Sequence, residues 1–226
     1  MSNEKWVEQV GRSTGWPAWA QSIREQYLAG EASTFILHGN VFDVVMHEGK
    51  LLDLRSFVAD VVVGGTKTMI VEVTAEHGAR AIKSQLELQA SDLVGQLHLV
   101  EEQLRTRQGV GVIIPYADLL APSEDQGSAS AREKLVGAVL HRWSLDRELQ
   151  AADNIVVMLV ESLASLNSAL VSSPKVAAIR VPMPDHATRQ AAVEMFAPRF
   201  AGTRAAKYAK RLGGLRVVQI EGLMKG

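Results

Sequence analysis

The chain has 226 residues, 47% of them hydrophobic, a formal net charge of -1 and no cysteine. That apolar content can build one large core or two small ones, and the missing cysteines exclude a disulfide framework, a thiol nucleophile and Cys-ligated zinc or iron–sulfur centres. The balanced charge gives no overall pull toward nucleic acid or an anionic membrane.

Residues 1–16 read as an N-terminal tail, and MSNEKWVEQVGRSTGW lacks the apolar centre of a signal peptide. No apolar run reaches the ~18–20 residues of a membrane-spanning helix, so a soluble cytoplasmic protein without membrane contact is expected. Short runs rich in Val and Ile follow at Thr34–His38, Thr68–Thr74, Val110–Ile114, Asn154–Val160 and Val176–Val181. Each has the length of a buried strand. Between them lie helical patterns. Leu52–Val63 is a short one, with Val61–Val63 before Gly64-Gly65 readable also as a strand end. Ser84 to Arg107 is the clearest, because Leu86, Ala90, Leu93, Leu97, Val100 and Leu104 step by four and three along one face. Ser84 with Glu87 reads as its capping box, and Ser130 with Glu133 gives the same signal for a helix running to about Leu149. Leu163–Val171 is another short helix candidate.

Strands alternating with helices imply a parallel sheet between helical layers. Five strands occupy Thr34 to Val181, and residues 17–184 form the expected α/β core. After Pro184 the pattern is helical only. Asp185 can cap a helix through Phe196, and further helices fit Thr203–Leu212 and Val217–Met224, with Gly213-Gly214 breaking the chain between them. Residues 185–226 therefore read as a small C-terminal helical unit.

This order of parts resembles the AAA+ ATPase module, which implies a five-stranded parallel sheet in a three-layer P-loop NTPase-like sandwich followed by a helical lid. The family's Walker B strand ends near DEIDALAP, and Val110–Pro122 here is VGVIIPYADLLAP. A sensor segment similar to TNRPDLLDPALL corresponds to Val160–Val171, VESLASLNSALV. A phrase like VPLPDxxxR corresponds to Val181–Arg189, VPMPDHATR, and the lid phrase GFSGADIEALV to Gly214–Met224, GLRVVQIEGLM. The family implies ATP and magnesium as cofactors and a ring-type oligomer with other AAA+ modules as partners; nucleic acid is not indicated.

The catalytic positions depart from the family. A Walker A loop needs GxxxxGK and a hydroxyl, so that backbone N–H groups wrap phosphates, Lys neutralises them and the hydroxyl holds magnesium. Here Gly39 and Gly49-Lys50 stand ten apart, bulky β-branched residues fill the interval, and Leu51 replaces the hydroxyl. Gly39, Asn40, Gly49 and Lys50 are the candidate nucleotide-binding residues, and the segment is expected to run extended or as a hairpin, because Val41, Phe42, Val44 and Val45 favour β geometry. Gly64-Gly65-Thr66-Lys67-Thr68 precedes a strand and reads as a turn. The magnesium-linked acid of Walker B aligns with Pro115, which has no side-chain oxygen for a hard cation. The water-activating Glu aligns with Tyr116, a poor base at neutral pH. Asp118 keeps a later acidic position, the sensor Asn aligns with Glu161, and Lys175 falls near the arginine-finger region without the guanidinium fork. No metal site is expected: the six His form no HExxH and no i, i+4 pair. His38 and the segment Glu76-His77-Gly78 end strands and could line a crevice, while Glu101-Glu102 with Lys83, Arg105 and Arg107 read as solvated helix faces.

The leading expectation is a hydrolysis-deficient AAA+ module with a structural or regulatory role, resembling the degenerate first module of a tandem bacterial protein. With three lid helices where the family has about four, the chain reads as a fragment. The alternatives are an active AAA+ ATPase whose atypical Gly39–Lys50 loop still cradles phosphate, and an unrelated Rossmann-like ligand-binding domain.

Overall fold

In the computed structural model, which describes residues 15–84, 87–123 and 129–226, the runs of Val and Ile pair side by side. The strands are β1 (Thr34–Gly39), the hairpin β2 (Val44–His47) and β3 (Lys50–Asp53), then β4 (Met69–Thr74), β5 (Gly78–Lys83), β6 (Val110–Pro115), β7 (Ile155–Val160) and β8 (Val176–Val181). The main sheet has six strands in the order β5-β4-β6-β7-β1-β8. Its five expected strands are parallel, with β1 inserted between β7 and β8. The expectation of five strands is corrected by β5, which adds an antiparallel edge through a turn at Ala75–His77. That edge strand, Gly-Ala-Arg-Ala-Ile-Lys, pairs on one side and lacks the apolar run of a central strand.

Alternate residues of each strand face opposite layers. Ile36, Val112, Ile114, Val156 and Met158 meet α3 (Leu93–Thr106) and α5 (Ala131–Leu145). Phe35, Leu37, Ile113, Val157 and Leu159 meet α1 (Ala18–Leu28) and α2 (Leu54–Ser56), which runs on as a π-helical stretch, Phe57–Val63. Helices thus cover both sheet faces. Val61–Val63 are helical rather than a strand end, closed by Gly64 N–H donating to Ala59 O at 2.8 Å. Helix α1 follows Pro17, whose missing N–H costs a helix start nothing; its weak apolar stripe gave no sequence signal. Trp16, within the expected tail, packs edge-on against Phe57 with centroids 6.2 Å apart; residues 1–14 lie outside the described residues.

Helix α3 begins at Leu93, not Ser84, because Gly78–Lys83 is committed to the sheet and Asp92 supplies the cap, accepting from Gly95 N–H at 2.7 Å. Leu86 lies outside the described residues. The stripe from Leu93 to Leu104 does face the core. Ser130 and Glu133 form their capping box, and the expected long helix divides at Asp146 into α5 and α6 (Arg147–Ala151). Short helices include α4 (Ala117–Leu120) and α7 (Ser168–Val171); the helix expected over Leu163–Val171 is instead a 3-10 turn, Leu163–Ser165, followed after a break by α7, which Asn167 caps.

After β8 come α8 (His186–Phe196), α9 (Thr203–Arg211) and α10 (Val217–Lys225), at the positions expected from sequence. They share a separate apolar cluster of Ala192, Val193, Ala205, Val217 and Ile220. Val44 and Leu51 of the β2–β3 hairpin pack against that cluster, so the hairpin bridges the helices and the sheet.

Candidate functional site

The carboxyl ends of β1, β6, β7 and β8 converge on one edge, where parallel α/β sheets usually bind ligands. The segment leaving β1 decides what this edge can hold. Gly39 N–H donates to Glu161 O at 3.1 Å, Asn40 N–H to Val181 O at 3.0 Å and Val41 N–H to Gly39 O at 2.9 Å. These amides are spent on neighbouring strands and the local turn, so they do not converge on a common anion. Residues Val44–Asp53 then form the expected hairpin, with Glu48 (φ 49°) and Gly49 (φ 74°) at its tip. Positive φ at both central residues is the geometry of a tight hairpin turn. Gly49 and Lys50 therefore sit at an exposed tip, away from Gly39 and Asn40 in the chain's path.

Gly39 has its own backbone reason to be glycine. Its φ is 100°, and an added Cβ would lie 2.7 Å from Val181 O. Gly39→Ala is expected to cost about 1–3 kcal/mol through strain, seen as a lower urea midpoint with no nucleotide present. A loss of stability that appears only with nucleotide would contradict that origin.

Sequence reasoning missed Asp43, the centre of this edge. It is 3% exposed. Its carboxylate accepts from Asn40 Nδ2 at 2.8 Å, Val217 N–H at 3.0 Å and Val218 N–H at 3.1 Å. Its backbone C=O accepts from Leu54 N–H at 3.0 Å, pinning the hairpin base. Val217 and Val218 lie 174 and 175 residues downstream, so no local pattern could reveal the contact.

Tyr116 lies next to this segment. It adopts φ 54°, uncommon for a non-glycine residue, is 50% exposed, and stacks on Phe42 with centroids 4.4 Å apart. Pro115 is the buried last residue of β6, and Asp118 lies in the first turn of α4. Glu161 follows β7 and accepts from Arg216 Nη2 at 2.6 Å. His38 in β1 has its imidazole pKa pushed down by burial and by the neighbouring Arg180 charge, which favours the neutral ring. Glu76 and His77 form the β4–β5 turn, where His77 N–H donates to Thr74 Oγ1 at 3.1 Å. Lys175 is at the opposite, amino end of the sheet, just before β8.

Two clefts open at the carboxyl edge. One of about 430 Å³ lies between Trp16–Trp19, the Asn40–Met46 segment and Val181–Asp185. Another of about 250 Å³ is bounded by Phe42, Arg55, Pro115, Tyr116 and Val218. Gly49 and Lys50 line neither. Arg55, the cation beside the smaller cleft, is committed to Glu72, with Nη2 donating to Oε2 at 2.6 Å. Among the described residues no three His, Asp or Glu side chains converge as metal ligands, and no helix is long and apolar enough to cross a membrane.

Gly64–Thr66 form the expected turn, but Lys67 is not a surface residue. Its ammonium is buried and donates to Asp153 Oδ1 at 2.7 Å, Asp153 O at 2.9 Å and Tyr27 Oη at 2.8 Å. Glu101 is likewise buried, correcting its reading as a solvated face, whereas its neighbour Glu102 is exposed.

No curated protein matches the chain. A family model described as AAA+ chaperone, N-terminal Rossmann-like domain, matches residues 8–182. That span takes in the whole six-stranded sheet and the motif positions at its carboxyl edge, and the chain belongs to this AAA+ chaperone N-terminal domain family.

Proposed function

We propose that this chain is a non-hydrolysing AAA+ module with a structural or regulatory role in a larger AAA+ chaperone or ring. One observation carries this: the amides of Gly39, Asn40 and Val41 are bonded to Glu161 O, Val181 O and Gly39 O and the chain then enters the β2–β3 hairpin, so these amides do not converge on a phosphate. The residues at this edge do not fit a magnesium nucleoside triphosphate. Asp43 would repel phosphate, and Pro115 offers magnesium no ligand. Glu161 adds a second negative charge and is paired with Arg216. In this reading the core runs to residue 184 and takes in Trp16, residues 185–226 are a lid, and the module works in the cytoplasm. The family's description as an N-terminal domain of a chaperone supports placing it ahead of another module. Exposed Tyr116 (50%) and Leu119 (60%) beside the crevice supply apolar surface for a neighbouring module.

The test is titration with a fluorescent ATP analogue and magnesium, together with a phosphate-release assay. No release above the protein-free rate is expected, and Lys50→Ala should behave as the parent. Tight binding with turnover that Lys50→Ala abolishes would refute the proposal.

A further inference from the structure

We propose that Asp43 is a built-in anion that latches the C-terminal helices onto the α/β core, so that their seating needs no bound ligand. Helix α10 (Val217–Lys225) starts after Arg216, whose side chain has no hydrogen-bond acceptor and cannot satisfy the first helical amides. A helix normally solves this with a local Ser, Thr, Asp or Asn. Here the acceptor arrives from the other domain layer, as Asp43 Oδ2 takes Val217 N–H and Oδ1 takes Val218 N–H. Helix N-termini attract anions through their free N–H groups and their dipole, and this one is filled by the chain's own carboxylate.

The rest of the arrangement holds that carboxylate in place. Asn40 Nδ2 donates to it, which leaves Asn40 Oδ1 buried and unpartnered, a sign that orienting Asp43 takes precedence over satisfying Asn40. Leu54 N–H fixes the Asp43 carbonyl, and Val44 beside it packs into the helical cluster. The other polar tie at this junction, Arg216 to Glu161, has Glu161 53% exposed, and exposed pairs contribute little. Asp43 is therefore the main polar latch, and an added anion has no free seat at α10. This inference does not depend on the absence of turnover: a module that hydrolysed ATP elsewhere could still carry the latch.

Hydrogen exchange by mass spectrometry on the full chain tests it. Peptides covering 213–226 report α10, and those covering 155–160 report the core. In the parent, saturating inorganic phosphate or magnesium ATP should leave exchange in 213–226 unchanged. Asp43→Gly should speed it by about 10–100-fold, the loss of charge-assisted bonds, while the core stays protected. Formate should slow it again in the variant and not in the parent. Asp43→Asn, which keeps a neutral acceptor, should fall between, and it carries the comparison should the glycine variant not fold. Three results would overturn the latch: unchanged exchange in both variants, core and α10 opening together, or protection of parent α10 by phosphate or ATP. A phosphate-release assay on the same samples scores the hydrolysis proposal separately.

Discussion

Asp153→Ala is expected to lower stability by about 3–5 kcal/mol, the cost of stranding a buried charge, and Lys67→Met by no more than about half of that. The Lys67 side chain is fully buried, and its ammonium has three oxygens around it: two from Asp153 and the Tyr27 hydroxyl. Tyr27 in turn donates to Asp153 Oδ1 at 2.7 Å. Removing Asp153 takes the formal negative charge from this set and leaves the ammonium with two neutral acceptors, the backbone carbonyl of residue 153 and the Tyr27 hydroxyl. Removing the ammonium is milder, because Asp153 keeps the Tyr27 donor and is 28% exposed to water. Methionine also fills the space of the lysine stem. Urea unfolding of the two variants measures the difference; equal losses would mean that the lysine stem, not the charge pair, carries the stability.

The same site sets a direction with pH. Burial pushes the Lys67 ammonium below its ordinary value, and the Asp153 hydrogen bond and charge partly oppose that. Asp153→Ala removes the opposition and lowers it further. Between that depressed folded pKa and the ordinary lysine value near 10.4 the unfolded chain binds more protons. The stability of the variant therefore rises with pH through this window. Its deficit against the parent should be widest below the variant's folded Lys67 pKa and narrow as pH climbs from there toward the parent's, which is higher but also depressed by burial.

What the sequence disclosed was local or periodic. The Ser130–Glu133 box, the Asp185 cap and the Val-rich central strands each act within a few residues, and each structure follows, whereas of the four β formers after Gly39 only Val44 and Val45 enter a strand and Val41 and Phe42 lie in a turn. The failures have a common physical form. Ser84 and Glu87 make a plausible cap locally, but β4 offers Gly78–Lys83 a ladder, and Asp92 is a free competitor for the helix start. Lys67 reads as a turn cation because its partner lies 86 residues away, and the nucleotide-motif look-alike around it gives no hint of burial. At the candidate site, Gly39 reads in the sequence as a phosphate glycine and is needed for a close approach to Val181. Lys50 reads as a phosphate cation and sits at a hairpin tip. Asp43 carries no sequence signal, since only folding brings α10 to it.

Glu101→Gln is the second large expectation, about 2–4 kcal/mol at neutral pH, from the loss of charged hydrogen bonds at a buried site. Glu101 joins the two long helices on one sheet face. It accepts from Arg105 Nη2 at 3.0 Å, from Trp143 Nε1 at 3.0 Å and from Arg142. Burial pushes its carboxyl pKa up, but the bonds from Arg142, Trp143 and Arg105 outweigh that and hold it below the usual range. Glutamine keeps one carbonyl acceptor, yet its NH2 must face a guanidinium or the indole N–H, donor against donor. Because the folded pKa is depressed, the carboxylate's contribution is full above the unfolded value near 4.3 and is lost as pH falls through the folded pKa. Parent and variant should therefore differ most at neutral pH and converge in acid, where the parent carboxyl is protonated as well. Urea midpoints at neutral pH and at a descending series of acid values decide it. Parallel pH profiles would show that Glu101 acts by packing, whereas convergence places the stability in its charge and in the two arginines that α3 and α5 turn toward it.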